Sequence, residues 1–306
     1  MRLFPIDQHK STAVPRITWD QSGHTNSAQW WSANDRPAPR KVVAVDDRCT
    51  ADQAMKYAAQ GTAMLWLGDF QNAKQLLSAM DRRISSGSNR GKSSSKNSGK
   101  NKPQAGESLS TADQFYRIRQ ARAQRSRMLS MLLIPLEFDE TEQEIVVPLP
   151  RAPRVGPAIS FAYDEVGASE ANGSGANTEQ THLFGTAAIS LQELTGVQGA
   201  HQWFVSGVEV PILGAKIYPR YGTFLPTRQE YVDLAAQAPL GEVNVAFDIG
   251  TGTGVLAAVL VHRGVPKVIG TDIHQRAIDC ARDNFTRLGM QGEATAVLRS
   301  MFPEGR

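Results

Sequence analysis

An apolar run that ends in an acid and then in three glycines at alternate positions constrains this chain more than any other stretch. It reads Val245-Ala246-Phe247-Asp248-Ile249-Gly250-Thr251-Gly252-Thr253-Gly254. The pattern commits the backbone to a strand, a tight turn and a helix in quick succession. Glycines at 250, 252 and 254 remove the Cβ atoms that would hold a ligand away, and they permit the positive φ values of such a turn. An acid two residues before the glycines brings a charge to the same place. Downstream, 265–272 forms a second strand ending in Asp272, and 294–298 forms a third. Helices are expected at 255–260 and 275–288, the second with Ile278, Ala281, Phe285 and Leu288 on one face. Strand alternating with helix implies parallel pairing through right-handed crossovers.

The glycine spacing narrows the ligand. A dinucleotide fingerprint needs Gly-x-Gly-x-x-Gly, and counting from Gly250 its third glycine falls on Val255. Gly-Lys-Ser/Thr is absent too, which excludes a P-loop. What remains is Asp248, the Gly-Thr-Gly-Thr-Gly turn, and Asp272 placed 18 residues after Gly254. S-adenosylmethionine matches this set physically. It carries no phosphate, so close backbone approach matters more than an anion-holding helix end. Asp248 attracts its cationic amine, directly or through water, and Asp272 accepts from its two ribose hydroxyls.

The rest of the 306 residues bounds the setting. The composition, 41% hydrophobic and 21% charged, is that of a soluble globular chain with room for about two domains. No apolar run is long enough to span a bilayer, and the N-terminus lacks a signal-peptide core. Cys49 and Cys280 are read as reduced thiols of a cytoplasmic protein, and the six histidines show no metal-ligand spacing. A net charge of +3 does not by itself imply nucleic acid.

Residues 1–49 hold four prolines and are expected as an irregular arm with one strand at 41–45. A mainly helical domain is expected over 50–200. Its helices are 51–60, capped by Thr50, then 63–83, and then one from Thr111 to about Leu133. Within it, 85–110 contains a stretch with no aliphatic residue larger than alanine, expected to be disordered. The third helix carries Arg117, Arg119, Arg122, Arg125 and Arg127. These are read as a solvated face, with a grip on phosphates as the competing reading. A strand is expected at 144–149, a loop at 165–181, and a short helix opened by a Ser190…Glu193 capping box. From 201 the pattern turns to β, with strands at 202–205, 208–212 and 215–218, a hairpin turn at Ser206-Gly207, and a helix at 231–238.

Phe247 through Gly254, followed by Thr271-Asp272, resembles the class I methyltransferases, specifically the branch that includes release-factor glutamine methyltransferases. Phe224-Leu225-Pro226-Thr227-Arg228-Gln229-Glu230 resembles the Pro-Arg-x-Glu segment that lies beside the methionine end of the cofactor in that branch. The clear resemblance covers about 222–306, and the helical 51–133 region is loosely similar to the N-terminal substrate-recognition domains of that branch, with no residue matched there. It implies an α/β fold whose methyltransferase domain begins near 201, supplying a β-hairpin and the first three strands of a Rossmann-like sheet. It also implies cofactor contacts from Asp248, Gly250, Thr251, Gly252, Thr253, Gly254, Asp272 and Ile273. The substrate it implies is a nitrogen of a protein glutamine or a nucleobase, on a release factor, a ribosomal protein or RNA. The family's acid at the end of the third strand is replaced here by Arg299-Ser300-Met301. Its Asn-Pro-Pro-Tyr-like substrate clamp would follow Arg306, so no catalytic residue is assigned within 1–306 and little methyl transfer is expected from them alone. A non-catalytic cofactor- or RNA-binding remnant is the alternative, and an oxidoreductase a distant third.

Overall fold

The computed structural model describes residues 15–90, 110–163 and 187–302. These divide into two compact units, one holding 15–156 and 187–195, the other 157–163 and 196–302.

The first unit is built on a mixed sheet. Its strands are β1 (Arg16–Gln21), β2 (His24–Trp31), β3 (Lys41–Val45), β4 (Thr62–Trp66), β5 (Leu132–Asp139), β6 (Glu144–Val146) and β7 (Ala187–Ser190). They lie in the order β1-β2-β7-β5-β4-β3, with β6 beside β5. The expected irregular arm therefore contains a hairpin. Ser22 and Gly23 both take positive φ, 53° and 80°, and Gln21 pairs with His24. That is the two-residue turn whose twist suits antiparallel strands. β1 also packs against β3. The sheet curls around a core of Ile17, Ala28, Trp30, Ala63, Leu65 and Leu133.

The expectation of a mainly helical domain fails for a physical reason. Residues 62–66 and 132–136 are apolar on both sides because β4 and β5 are central strands covered on both faces. Such strands show continuous apolar runs, which periodicity alone does not separate from buried helix. The helices that do form are α1 (Ala51–Ala59), α2 (Phe70–Arg90) and α3 (Thr111–Leu129). α1 starts where Thr50 was expected to cap it. Thr50 Oγ1 accepts from Gln53 N at 3.3 Å, and Gln53 Oε1 accepts from Thr50 N at 2.9 Å. A cap of this kind contributes about 1 kcal/mol. The α3 cap is Ser110 rather than Thr111. α2 runs through Arg90, into the stretch expected to be disordered. The remainder of that stretch, and the loop expected at 165–181, lie outside the described residues.

Helices α4 (Gly156–Tyr163) and α5 (Leu191–Ser206) carry the chain between the units. Ser190 Oγ accepts from Glu193 N at 3.4 Å as a capping box requires, and the Glu193 carboxylate accepts from Ala33 N at 2.5 Å and Ser32 Oγ at 3.0 Å, fastening the end of β2. α5 is long and absorbs the strand expected at 202–205.

In the second unit the hairpin is formed by β8 (Val208–Val210) and β9 (Ala215–Ile217). It turns through a 3-10 segment at Pro211–Leu213 and left-handed Gly214, not at 206–207. Next come α6 (Glu230–Gln237), β10 (Val245–Ile249), α7 (Val255–His262), β11 (Lys267–Asp272), α8 (Gln275–Arg287) and β12 (Ala294–Leu298). β10, β11 and β12 pair in parallel in that order. Ala257, Val268, Ile278, Phe285, Ala294 and Ala296 close a core on one side of this sheet. Val245, Phe247 and Ile249 stand exposed along β10, and Phe247 meets the Phe302 ring edge-on at 5.5 Å.

Candidate functional site

The glycine turn joins β10 to α7, and each glycine has a different reason to be one. All three hold positive φ: 76° at Gly250, 55° at Gly252 and 79° at Gly254. A side chain at Gly250 would meet open space, so this is where the backbone lies bare to a ligand. At Gly252 a Cβ would touch the Phe224 Cβ at 3.7 Å. At Gly254 it would come within 2.7 Å of the Phe285 ring and 3.2 Å of Ala281 Cβ, so this glycine lets α7 seat against α8.

The turn is tied down from below. Gly250 N and Thr251 N both donate to Thr271 O, at 2.7 and 2.9 Å. Gly270 makes that approach feasible, because a Cβ there would lie 2.7 Å from Thr251 Oγ1. A glycine inside a strand marks such a close approach, and the signal was present in Val268-Ile269-Gly270-Thr271. Asn284, buried on α8, donates to Thr253 O at 3.0 Å and to Tyr218 O at 3.2 Å, and accepts from Tyr218 N at 2.9 Å. It joins the turn, the segment after β9 and α8 in one network. Nothing in the sequence marks it.

The two acids do different work. Asp248 Oδ2 accepts from Thr251 Oγ1 at 2.8 Å and from Ala257 N at 3.2 Å. Gly254, the N-cap of α7, has no side chain with which to cap. Asp248 therefore satisfies one of the first-turn N–H groups that a helix leaves open. Burial pushes its carboxyl above the ordinary value, against the lowering effect of these two hydrogen bonds, and the Asp272 charge pushes the same way. Asp272 ends β11. Its Oδ2 accepts from Gly252 N at 3.2 Å and its Oδ1 from His274 N at 3.0 Å. Each oxygen keeps acceptor capacity for a further donor. Ile273, next along, is 63% exposed.

The structure thus brings Asp248, Gly250, Thr251, Gly252, Thr253, Gly254 and Asp272 into one place, with Ile273 at its rim. The segment 221–226 joins them through Phe224, whose ring also meets Tyr231 edge-on at 5.5 Å. Arg276 holds this segment by donating to Tyr221 O at 3.2 Å, with its guanidinium 5.8 Å from the Tyr221 ring centre. The hydroxyls of Thr253 and Thr271 and of Tyr231 are buried with no hydrogen-bond partner among the described residues. Buried orphan hydroxyls, two acids and a bare backbone form a donor and acceptor set suited to a polar, phosphate-free nucleoside with a cationic end.

The site is a strand–turn–helix on a parallel sheet, and the family comparison concerns the same segment. Residues 231–304 match the family described as ribosomal protein L11 methyltransferase (PrmA). A ribosomal protein L11 methyltransferase of Geobacter metallireducens is 40% identical over 60 residues, 20% of this chain and 20% of the relative. That of Vibrio campbellii is 40% identical over 62 residues, 20% and 21% of the two chains. That of Geobacter sulfurreducens is 36% identical over 70 residues, 23% of each. The chain spans about a fifth of the length of the curated relatives it matches. No helix among the described residues is long and apolar enough to cross a membrane.

Proposed function

We propose that this chain is an S-adenosylmethionine-dependent methyltransferase whose cofactor lies on the glycine turn, with a nitrogen of a ribosomal protein as its acceptor. One observation carries the reading. The turn is bare at Gly250 and is flanked by Asp272, which keeps lone pairs free at the tip of β11. The match of 231–304 to L11 methyltransferases supports it independently and favours a ribosomal protein over a release factor or a nucleobase.

The geometry supports a role for each residue. Asp272 accepts from the ribose hydroxyls, with Ile273 against the base. Gly250 and Gly252 offer close backbone approach. Asp248 is already engaged by Thr251 and Ala257, so it fixes the turn first and attracts the cationic amine through its remaining oxygen. Phe224 and the buried Tyr231 hydroxyl border the methionine end. When bound, the cofactor supplies an electrophilic sulfonium methyl. Transfer to a nitrogen lone pair needs alignment and exclusion of water more than a protein nucleophile, so the site acts by positioning.

Calorimetric titration with S-adenosylhomocysteine tests the cofactor reading, and Asp272→Asn is expected to weaken binding at least tenfold. Absence of binding to the unsubstituted chain would sink it. Methyl incorporation into purified ribosomal protein L11, set against a release factor and RNA, tests the acceptor. Incorporation into RNA alone would overturn the substrate class.

A further inference from the structure

Helix α3 of the first unit departs from what a surface helix normally shows. From 111 to 125 every residue is exposed. Phe115, Tyr116 and Ile118 are 61%, 68% and 51% exposed. A helix held by packing hides its apolar residues in one stripe. Here the three spread over about 160° of the helix circumference, with Arg119 and Arg122 inside the same arc. Arg117 and Arg127 occupy the remaining circumference.

Most of the positive charge on this helix is unopposed among the described residues. Its acid, Asp113, accepts from the Ser110 hydroxyl at 2.7 Å at the N-terminus. Arg125 is engaged with Asp81 of α2 at 2.5 and 2.7 Å, and Ser126 accepts from Arg36, so the base of the helix is anchored. Arg117, Arg119, Arg122 and Arg127 form no ion pair among the described residues. The Arg119 guanidinium lies over the Phe115 ring, 5.7 Å from its centre.

These observations discriminate between partners. A helix that lies in a lipid surface, or in the apolar groove of another protein, needs an uncharged apolar stripe, and α3 has arginines inside the arc its rings occupy. Cations interleaved with exposed rings are what a single strand of nucleic acid requires. Arginines meet the phosphates, and aromatic faces receive the unstacked bases. From Arg117 to Arg127 the helix rises about 15 Å, enough to follow several phosphates.

We propose that α3 docks single-stranded RNA, with Arg117, Arg119, Arg122 and Arg127 on the phosphates and Phe115 and Tyr116 stacking on bases. Only the choice of RNA over DNA rests on the proposed function, since a ribosomal protein acceptor brings RNA to the enzyme. The solvated-face reading gives way here because the exposed rings and the unpaired arginines occur on the same helix.

Fluorescence anisotropy of a labelled oligouridylate of about 12 nucleotides, with the full chain and no cofactor, tests this apart from methyl transfer. Binding in the micromolar range is expected. The quadruple variant R117A/R119A/R122A/R127A should weaken it at least tenfold. It should also reduce the slope of log affinity against log salt by about 3, the value for four phosphate contacts on a single strand. The variant F115A/Y116A should weaken binding about fivefold or more and leave the salt slope unchanged. Alanine favours helix, so circular dichroism should show both variants folded. The proposal is overturned by no binding to the unsubstituted chain, or by unchanged affinity in the quadruple variant. Tighter binding to oligodeoxythymidylate, or to phosphatidylserine vesicles that oligouridylate does not displace, overturns it equally.

Discussion

Both units of this protein hold a run of parallel strands joined through helices, β3-β4-β5 in the first and β10-β11-β12 in the second, and they differ in what is added to it. In the second unit, β10, β11 and β12 are consecutive in sequence and adjacent in space, each joined to the next through a helix. In the first, Trp30 of β2 pairs with Ala188 of β7, and β5 lies between β7 and β4. The contrast separates kinds of stability. The three-stranded sheet is assembled from neighbours, and its demanding contacts are backbone approaches at glycines. The mixed sheet brings together segments more than 150 residues apart, and side-chain burial holds it.

Truncating the centre of the mixed sheet gives the largest expected effect. Leu133 is fully buried in β5, between β4 and β7. Leu133→Ala should cost about 2–5 kcal/mol in denaturant unfolding of the first unit. Binding of S-adenosylhomocysteine should stay within a factor of two. A parallel loss of cofactor affinity would break the contrast between the units.

Gly254→Ala addresses the other side of the comparison. The left-handed φ and the Phe285 ring both oppose a Cβ, which together should cost about 2–4 kcal/mol. Cofactor binding should be lost with it, since α7 can no longer seat against α8. Retained binding, measured by calorimetry, would show that the turn tolerates far more movement than its contacts suggest.

Asp248→Asn has the smallest effect on stability and the most informative sign. Burial raises the folded-state pKa of Asp248 above its ordinary value, so the folded protein binds the proton more tightly than the unfolded chain. Its contribution to stability is therefore most favourable at low pH and declines as pH rises from the ordinary carboxylate range through the raised value. Asparagine keeps an oxygen for Thr251 and Ala257 but has no charge to desolvate. The ligand-free variant should be equal to or more stable than the parent at neutral pH, with a flatter profile above the ordinary carboxylate range. Its affinity for S-adenosylhomocysteine should fall about tenfold, which is about 1.4 kcal/mol. Lower stability at neutral pH combined with unchanged affinity would assign Asp248 to helix capping alone.

The legibility of the sequence follows the same division. The strands and helices from Val245 to Leu298 agree with expectation to within a few residues, and Thr50 caps α1 as expected. Each is specified by residues a few positions apart: an acid, alternating glycines, a hydroxyl with a glutamine three places on. The Ser22-Gly23 hairpin was equally local and was hidden among prolines. β4, β5 and β7 carry no such mark, because a strand buried on both faces is merely a short apolar run.

What the sequence alone determined is the strand, the glycine turn and the acids at its two ends, since backbone strain at positive φ and helix-end satisfaction are local quantities. The tertiary structure decided the rest. It closed the mixed sheet, brought the Glu193 carboxylate to Ala33, and set Gly270 under Thr251. It also placed Asn284 between Thr253 and Tyr218, and left Arg117, Arg119, Arg122 and Arg127 of α3 without an ion pair among the described residues, while Arg125 meets Asp81. These depend on which distant segments meet, and burial energy rewards many such meetings equally until the whole chain selects one.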